Sequence, residues 1–163
     1  MRNRLFSGLV LLALCFDVAA GDLYAVTNQR ILDLVNQARA TPRACGKVRL
    51  DAAQPVRWNS ALADASRQHS QDMARYNYFS HHGRDGSEPA GRIERAGYRY
   101  SSMGENIAAG QRSPEEVVAG WIKSPGHCAN LMNPVFTEMG AAVAVNAGSK
   151  LGTFWTQDFA RPR

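Results

Sequence analysis

Three short stretches hold the side chains best suited to chemistry: His81, Gly104-Glu105-Asn106-Ile107-Ala108, and Ser124-Pro125-Gly126-His127-Cys128. They supply an imidazole, a carboxylate and a second imidazole, on what read as three irregular segments, with a cysteine beside the last. Two neutral imidazoles and a nearby carboxylate are enough for a two- or three-ligand zinc site, and the same groups suit general acid–base work. His81 and His127 are the candidate metal ligands, Glu105 the candidate base, and Asn106 and Ser124 further candidates for the cleft. A carboxylate inside a small apolar run is expected to be partly buried and to need a partner, for which an imidazole serves. A Glu105 that only holds a loop through backbone N–H groups is the plainer reading, and the two roles are compatible. At Ser124, a helix cap before Pro125-Gly126 is favoured over a serine nucleophile. The chain has no His-Glu-x-x-His zinc helix, Gly-x-Ser-x-Gly elbow or phosphate loop.

The remaining histidines read as bystanders. His69 falls on the apolar stripe of a helix, where a satisfied core residue is the ordinary outcome. His82 is ranked below its neighbour His81, beside which Tyr78 and Phe79 are expected to anchor the backbone.

The start of the chain bears on both cysteines and compartment. Arg2 and Arg4 precede an apolar run from Leu5 to Phe16, and Val18-Ala19-Ala20 gives small residues before Gly21. Met1–Ala20 therefore reads as a secretory signal, and Gly21–Arg163 as one domain, secreted or periplasmic, with no transmembrane segment after processing. An uncleaved anchor would want about 20 apolar residues. Without Cys15, Cys45 and Cys128 remain, and two cysteines in an exported domain read as one disulfide, against the alternative of two free buried thiols. Such a bridge closes a long loop, for which loop-closure entropy gives roughly 4–5 kcal/mol.

The formal charge is +5, and removing the signal lowers it by one. Arg84, Arg92, Arg95, Arg99 and Arg112 crowd one stretch and read as an ordinary solvated face, with attraction to anionic headgroups or wall polymers as the alternative. The aromatic–basic interleaving of a nucleic-acid reader is absent.

These residues need elements to position them. Thr27–Ala40 is a predicted amphipathic helix, with Ile31, Leu34, Val35 and Ala38 on its apolar face and Asn28, Gln29 and Arg39 off it. Pro42–Trp58 reads as a loop. A second helix, capped by Asn59 or Ser60, runs to about Tyr76 with Leu62, Ala65, His69 and Met73 in one stripe. A loop spans Phe79–Glu88, and a short helix Pro89–Ala96 stops at Gly97. Ser113-Pro114-Glu115-Glu116 opens another helix with a capping box, ending at Ser124-Pro125-Gly126. Met139–Val145 and Thr153–Phe159 read as a hairpin with a long loop. Helices first and a hairpin last argue an α+β fold.

In order along the chain, Tyr78-Phe79-Ser80-His81, Gly104-Glu105-Asn106-Ile107-Ala108, Trp121 with Ser124-Pro125-Gly126-His127, and Trp155-Thr156-Gln157-Asp158-Phe159 resemble the signatures of the CAP superfamily. These are the cysteine-rich secretory, antigen 5 and pathogenesis-related proteins, also called SCP domains. The Ser-Pro-Gly-His form is similar to the bacterial branch. The resemblance covers about Leu32 to Phe159 and implies a three-layer α-β-α sandwich with a central cleft. In many members that cleft holds two histidines and two acidic residues, sometimes with zinc. His81, Glu105 and His127 match three of these; the second acidic residue, after the tryptophan, is replaced here by Ile122-Lys123-Ser124. The resemblance also implies small-molecule, lipid, sterol or protein ligands, and a monomer is expected. A cleft that binds a divalent metal or a small or lipid ligand is the preferred function. A zinc-dependent, peptidase-like hydrolase and a cell-wall or envelope interaction protein are the alternatives.

Overall fold

In the computed structural model, residues 20–163 are described, with side chains from Thr27 onward. The signal reading therefore lies outside the described residues, apart from the backbone of Ala20. The elements are α1 (Ala20–Arg39), β1 (Arg43–Cys45), β2 (Val48–Leu50), β3 (Arg57–Trp58), α2 (Ser60–Tyr76), α3 (Pro89–Arg95), β4 (Tyr100–Ala109), α4 (Pro114–Lys123), α5 (Pro125–Met132), β5 (Glu138–Val145) and β6 (Thr153–Pro162). Among the described residues, no helix is long and apolar enough to cross a membrane.

The main sheet runs β3-β5-β6-β4. β6 pairs antiparallel with both β4 and β5, and β3 pairs parallel with β5. On one face, Leu62 and Ala65 of α2 pack with Ile93 and Tyr98, while Met73 packs with Ile107 and Phe154. On the other, Ile31 and Val35 of α1, Val118 and Trp121 of α4 and Leu131 of α5 surround Met139, Trp155 and Phe159. The fold is thus the expected α-β-α sandwich of the α+β class. β1 and β2 form a separate hairpin, joined to α5 by the Cys45–Cys128 disulfide.

Local chemistry explains the helix ends. Asn59 caps α2, its side-chain oxygen accepting from the N–H groups of Ala61 and Leu62 at 2.9 and 3.2 Å. Ser113 caps α4 by accepting from Glu116 N–H at 3.2 Å. The reciprocal arm of the box is displaced by one residue: Glu116 accepts from the N–H of Arg112 at 2.8 Å. α2 lies unusually close to β5. A Cβ at Gly140 would stand 2.0 Å from the backbone nitrogen of Ala63, so only glycine fits there.

Several expectations need correction. The supposed loop Pro42–Trp58 contains the hairpin and β3. Glu105 is not on an irregular segment but in the middle of the ten-residue β4. Its neighbours hid the strand, because Gly104, Ala108 and Ala109 lack the branched side chains that signal one. His127 lies in the first turn of helix α5. Arg39, expected off the apolar face of α1, is fully buried. Its guanidinium donates to the carbonyls of Gln54, Leu131, Asn133 and Phe136 at 2.7–3.1 Å. Those four bonds compensate the burial of its charge and lock the end of α5 against α1. Burial pulls its pKa down to about 10, so it remains a cation at neutral pH.

Candidate functional site

β4 is one of the two edge strands, and the candidate site residues lie along it in both helical layers. Glu105 is in direct register with Asp158 of β6, and neighbouring Ile107 packs into the α2 layer. Strand alternation therefore turns Glu105 toward α2 and α3, and Asn106 toward α5.

Glu105 is nearly fully buried and has two partners. One oxygen meets His81 Nδ1 at 2.7 Å, and the other accepts from Arg92 Nη2 at 2.7 Å. The expected imidazole partner is present. Arg92, assigned from sequence to a solvated basic face, is buried instead at 4 % exposure. Its guanidinium also donates to the carbonyls of His81 and Ser87, each at 2.9 Å. One side chain thus balances the Glu105 charge and fixes the loop that carries His81. Position alone did not distinguish Arg92 from its exposed neighbours; its place on α3, one residue before the core Ile93, was the available signal.

The His81 loop has further supports. Asn77 ends α2 in the left-handed conformation at φ 52°, and its N–H bonds Met73 O. The Tyr78 hydroxyl donates to Asp72. His69 is buried as expected, with Nε2 2.8 Å from Ser80 O. Phe79 is 50 % exposed, so of the two aromatic residues only Tyr78 anchors the loop. His82 lies apart from the site, paired with Glu88 at 2.7 Å.

The disulfide fixes the residue next to His127, and Asn106 ties the same turn to β4. Asn106 Nδ2 donates to His127 O at 3.3 Å and to Gln157 Oε1 at 3.0 Å. Asn130, which sequence reasoning missed, donates to Glu105 O at 3.1 Å and Asn106 Oδ1 at 3.0 Å. Asn106 is therefore a buried pin beneath the cleft rather than part of its lining. Ser124 occupies the junction of α4 and α5, but its hydroxyl makes no cap bond. Its N–H donates to Trp121 O at 3.2 Å and its carbonyl accepts from Cys128 N–H at 2.8 Å.

The electrostatics are uneven. Burial lowers the His127 pKa, and charge on His81 lowers it further. Neutral His127 consequently offers a lone pair. The acceptor-only Glu105 carboxylate requires His81 Nδ1 to carry a proton, which leaves Nε2 as the free lone pair of a neutral His81. Burial, then the negative charge of Glu105, pushes Asp158 well above the ordinary carboxylate range. Ser66 donates to Asp158 Oδ2 at 2.8 Å, while the buried Oδ1 has no partner among the described residues.

The chemistry of these donors limits how a metal could be held. Glu105 is unsuited as a third ligand, because both its oxygens are engaged and Arg92 already balances its charge. Among the described residues, no group of three or more His, Cys, Asp or Glu side chains could hold a metal ion. By donor type, two imidazole ligands with Glu105 behind His81 would suit such an ion, because outer-shell carboxylates commonly orient a ligating histidine.

Comparison with known proteins supports the fold. Bacillus subtilis YkwD is 39 % identical over 106 residues, 65 % of this chain and 39 % of that protein. The Bacillus subtilis membrane protein YlbC is 31 % identical over 121 residues, 74 % of this chain and 32 % of that protein. The chain thus spans well under half the length of either relative. Among solved structures, an extracellular SCP-domain protein from Bacillus anthracis superposes with a TM-score of 0.69 at 29 % identity, covering 86 % of this chain and 42 % of that one. An outer surface protein of Borrelia burgdorferi shares the fold, with a TM-score of 0.66 at 15 % identity over 85 % of this chain and 92 % of that one. Residues 32–159 match the profile of the cysteine-rich secretory protein family, and the chain belongs to that family, CAP.

Proposed function

We propose that the chain is an exported CAP domain whose β4-edge cleft binds a divalent metal, zinc being the candidate, through His81 Nε2 and His127. The observation that carries this reading is the His81–Glu105–Arg92 chain of 2.7 Å contacts, which orients one imidazole while leaving its outer nitrogen free. The proposed export rests on the leader-like Met1–Ala20 and on the disulfide, and the Bacillus anthracis neighbour is itself extracellular. A metal held by two imidazoles would supply a Lewis acid with open positions for a small oxygen ligand. The geometry weighs against Glu105 as a hydrolytic base, since a base needs an oxygen available to take a proton.

Calorimetric zinc titration of the purified protein, with its bridge formed, tests the proposal. His81→Ala/His127→Ala is expected to abolish measurable binding. Glu105→Gln, acting through His81, is expected to weaken it about 10–100-fold. Unchanged affinity in the double variant would refute the metal cleft.

A further inference from the structure

Arg92 also forms part of the wall of a second recess, which His81, Glu105 and His127 do not line. Its volume is about 520 Å³, within the range of small-ligand sites. Gln68, Asp72 and Tyr76 line it from one stripe of α2, Arg84 and Asp85 from the following loop, and Arg95 from α3.

Its inner wall includes His69, which is 1 % exposed. Tyr78 meets this ring edge-on, and among the described residues its only hydrogen-bond partner is Ser80 O, at 2.8 Å from Nε2. A carbonyl only accepts, so Nε2 carries the proton. Burial lowers the pKa of this imidazole, so the ring is neutral and Nδ1 is an acceptor without a donor. An occupant of the recess is therefore favoured if it brings a hydrogen-bond donor to that nitrogen.

The rest of the wall narrows the class of occupant. Arg84 and Arg95 share the wall with Asp72 and Asp85, while Arg92 is balanced by Glu105. These charges cancel, so neither an anion nor a cation is preferred. Asp85 accepts from Ser87 N–H at 2.9 Å and Asp72 from the Tyr78 hydroxyl, and each carboxylate retains further acceptor capacity. The guanidiniums only donate, and Gln68 does both. Arg84 stacks 4.4 Å from the centre of the half-exposed Tyr76 ring, giving a flat rim. Hydroxyl groups answer donors and acceptors alike without adding charge.

We propose that this recess between α2 and α3 binds a neutral, hydroxyl-rich ligand of the saccharide class, with one hydroxyl donating to His69 Nδ1. The proposal is independent of the metal cleft.

The test is a nitrogen-15 NMR titration of the full chain, bridge formed, with glucose, N-acetylglucosamine, cellobiose and N,N′-diacetylchitobiose. Inorganic phosphate and glycine serve as an anion and a zwitterion. At least one sugar should shift His69 Nδ1 and the Gln68 and Tyr76 amides saturably, leaving the His81 and His127 rings unmoved. Gln68→Ala and Asp85→Asn, both at exposed positions, should each weaken that sugar about tenfold. Failure of all four sugars to move His69 Nδ1 would overturn the proposal. So would equal affinity in both variants, stronger shifts from phosphate or glycine, or shifts confined to His81 and His127.

Discussion

Asp158 and Glu105 face each other across the β4–β6 ladder, and the two acids are treated differently. Glu105 has Arg92 and His81, whereas Asp158 has only the Ser66 hydroxyl on one oxygen. Burial and the neighbouring negative charge push Asp158 upward, so the native state favours its protonated form. That contribution to stability is fully present below the unfolded value of about 3.9 and is lost as pH rises through the native value. Asp158→Asn keeps an acceptor for Ser66 and removes the ionisation. Its urea midpoint should equal or exceed that of the parent at neutral pH, with a smaller alkaline loss; a lower midpoint with an unchanged pH slope would contradict this assignment. At this scale the sequence was partly legible. His81, Glu105 and His127 stand out from their neighbours by type. Arg92 and Asp158 do not, because the burial of each is decided by residues distant in sequence.

At the scale of elements, helix periodicity and capping residues located α2 and α4 well, since those signals are local. β4 was missed because its register depends on β6 and its composition is poor in strand formers. The contact of α2 with β5 makes a sharp prediction. Gly140→Ala forces the helix backbone away and should cost about 3 kcal/mol or more. Gly120, exposed within α4 with open space around it, is the converse. Gly120→Ala should stabilise by about 0.5–1 kcal/mol. Denaturant melts of the two variants should move in opposite directions, and a Gly140→Ala midpoint within error of the parent would contradict the close approach.

For the whole molecule, the disulfide links the β1–β2 hairpin to the start of α5 across a sequence separation of 83 residues. Reduction, or Cys45→Ala/Cys128→Ala, should lower the unfolding free energy by about 4 kcal/mol, read from urea midpoints with and without reductant. A change below about 1 kcal/mol would show that the bridge does not restrain the unfolded chain as loop-closure entropy requires. The α+β class was foreseeable from the order of elements, the three layers from the family resemblance, and the bridge from the two cysteines Cys45 and Cys128. The meeting of both helical layers at one strand was not, because it depends on which strand ends the sheet. That placement also bears on self-association. A ten-residue edge strand would ordinarily invite pairing with another copy, but Asn130 donates to the carbonyl of Glu105 and Trp121 Nε1 to that of Ile107. At the opposite border, β3 is only two residues long. Asn130, which ties α5 to β4, thus also covers part of the free border of the sheet, and its loss would bare a strand edge to a second copy.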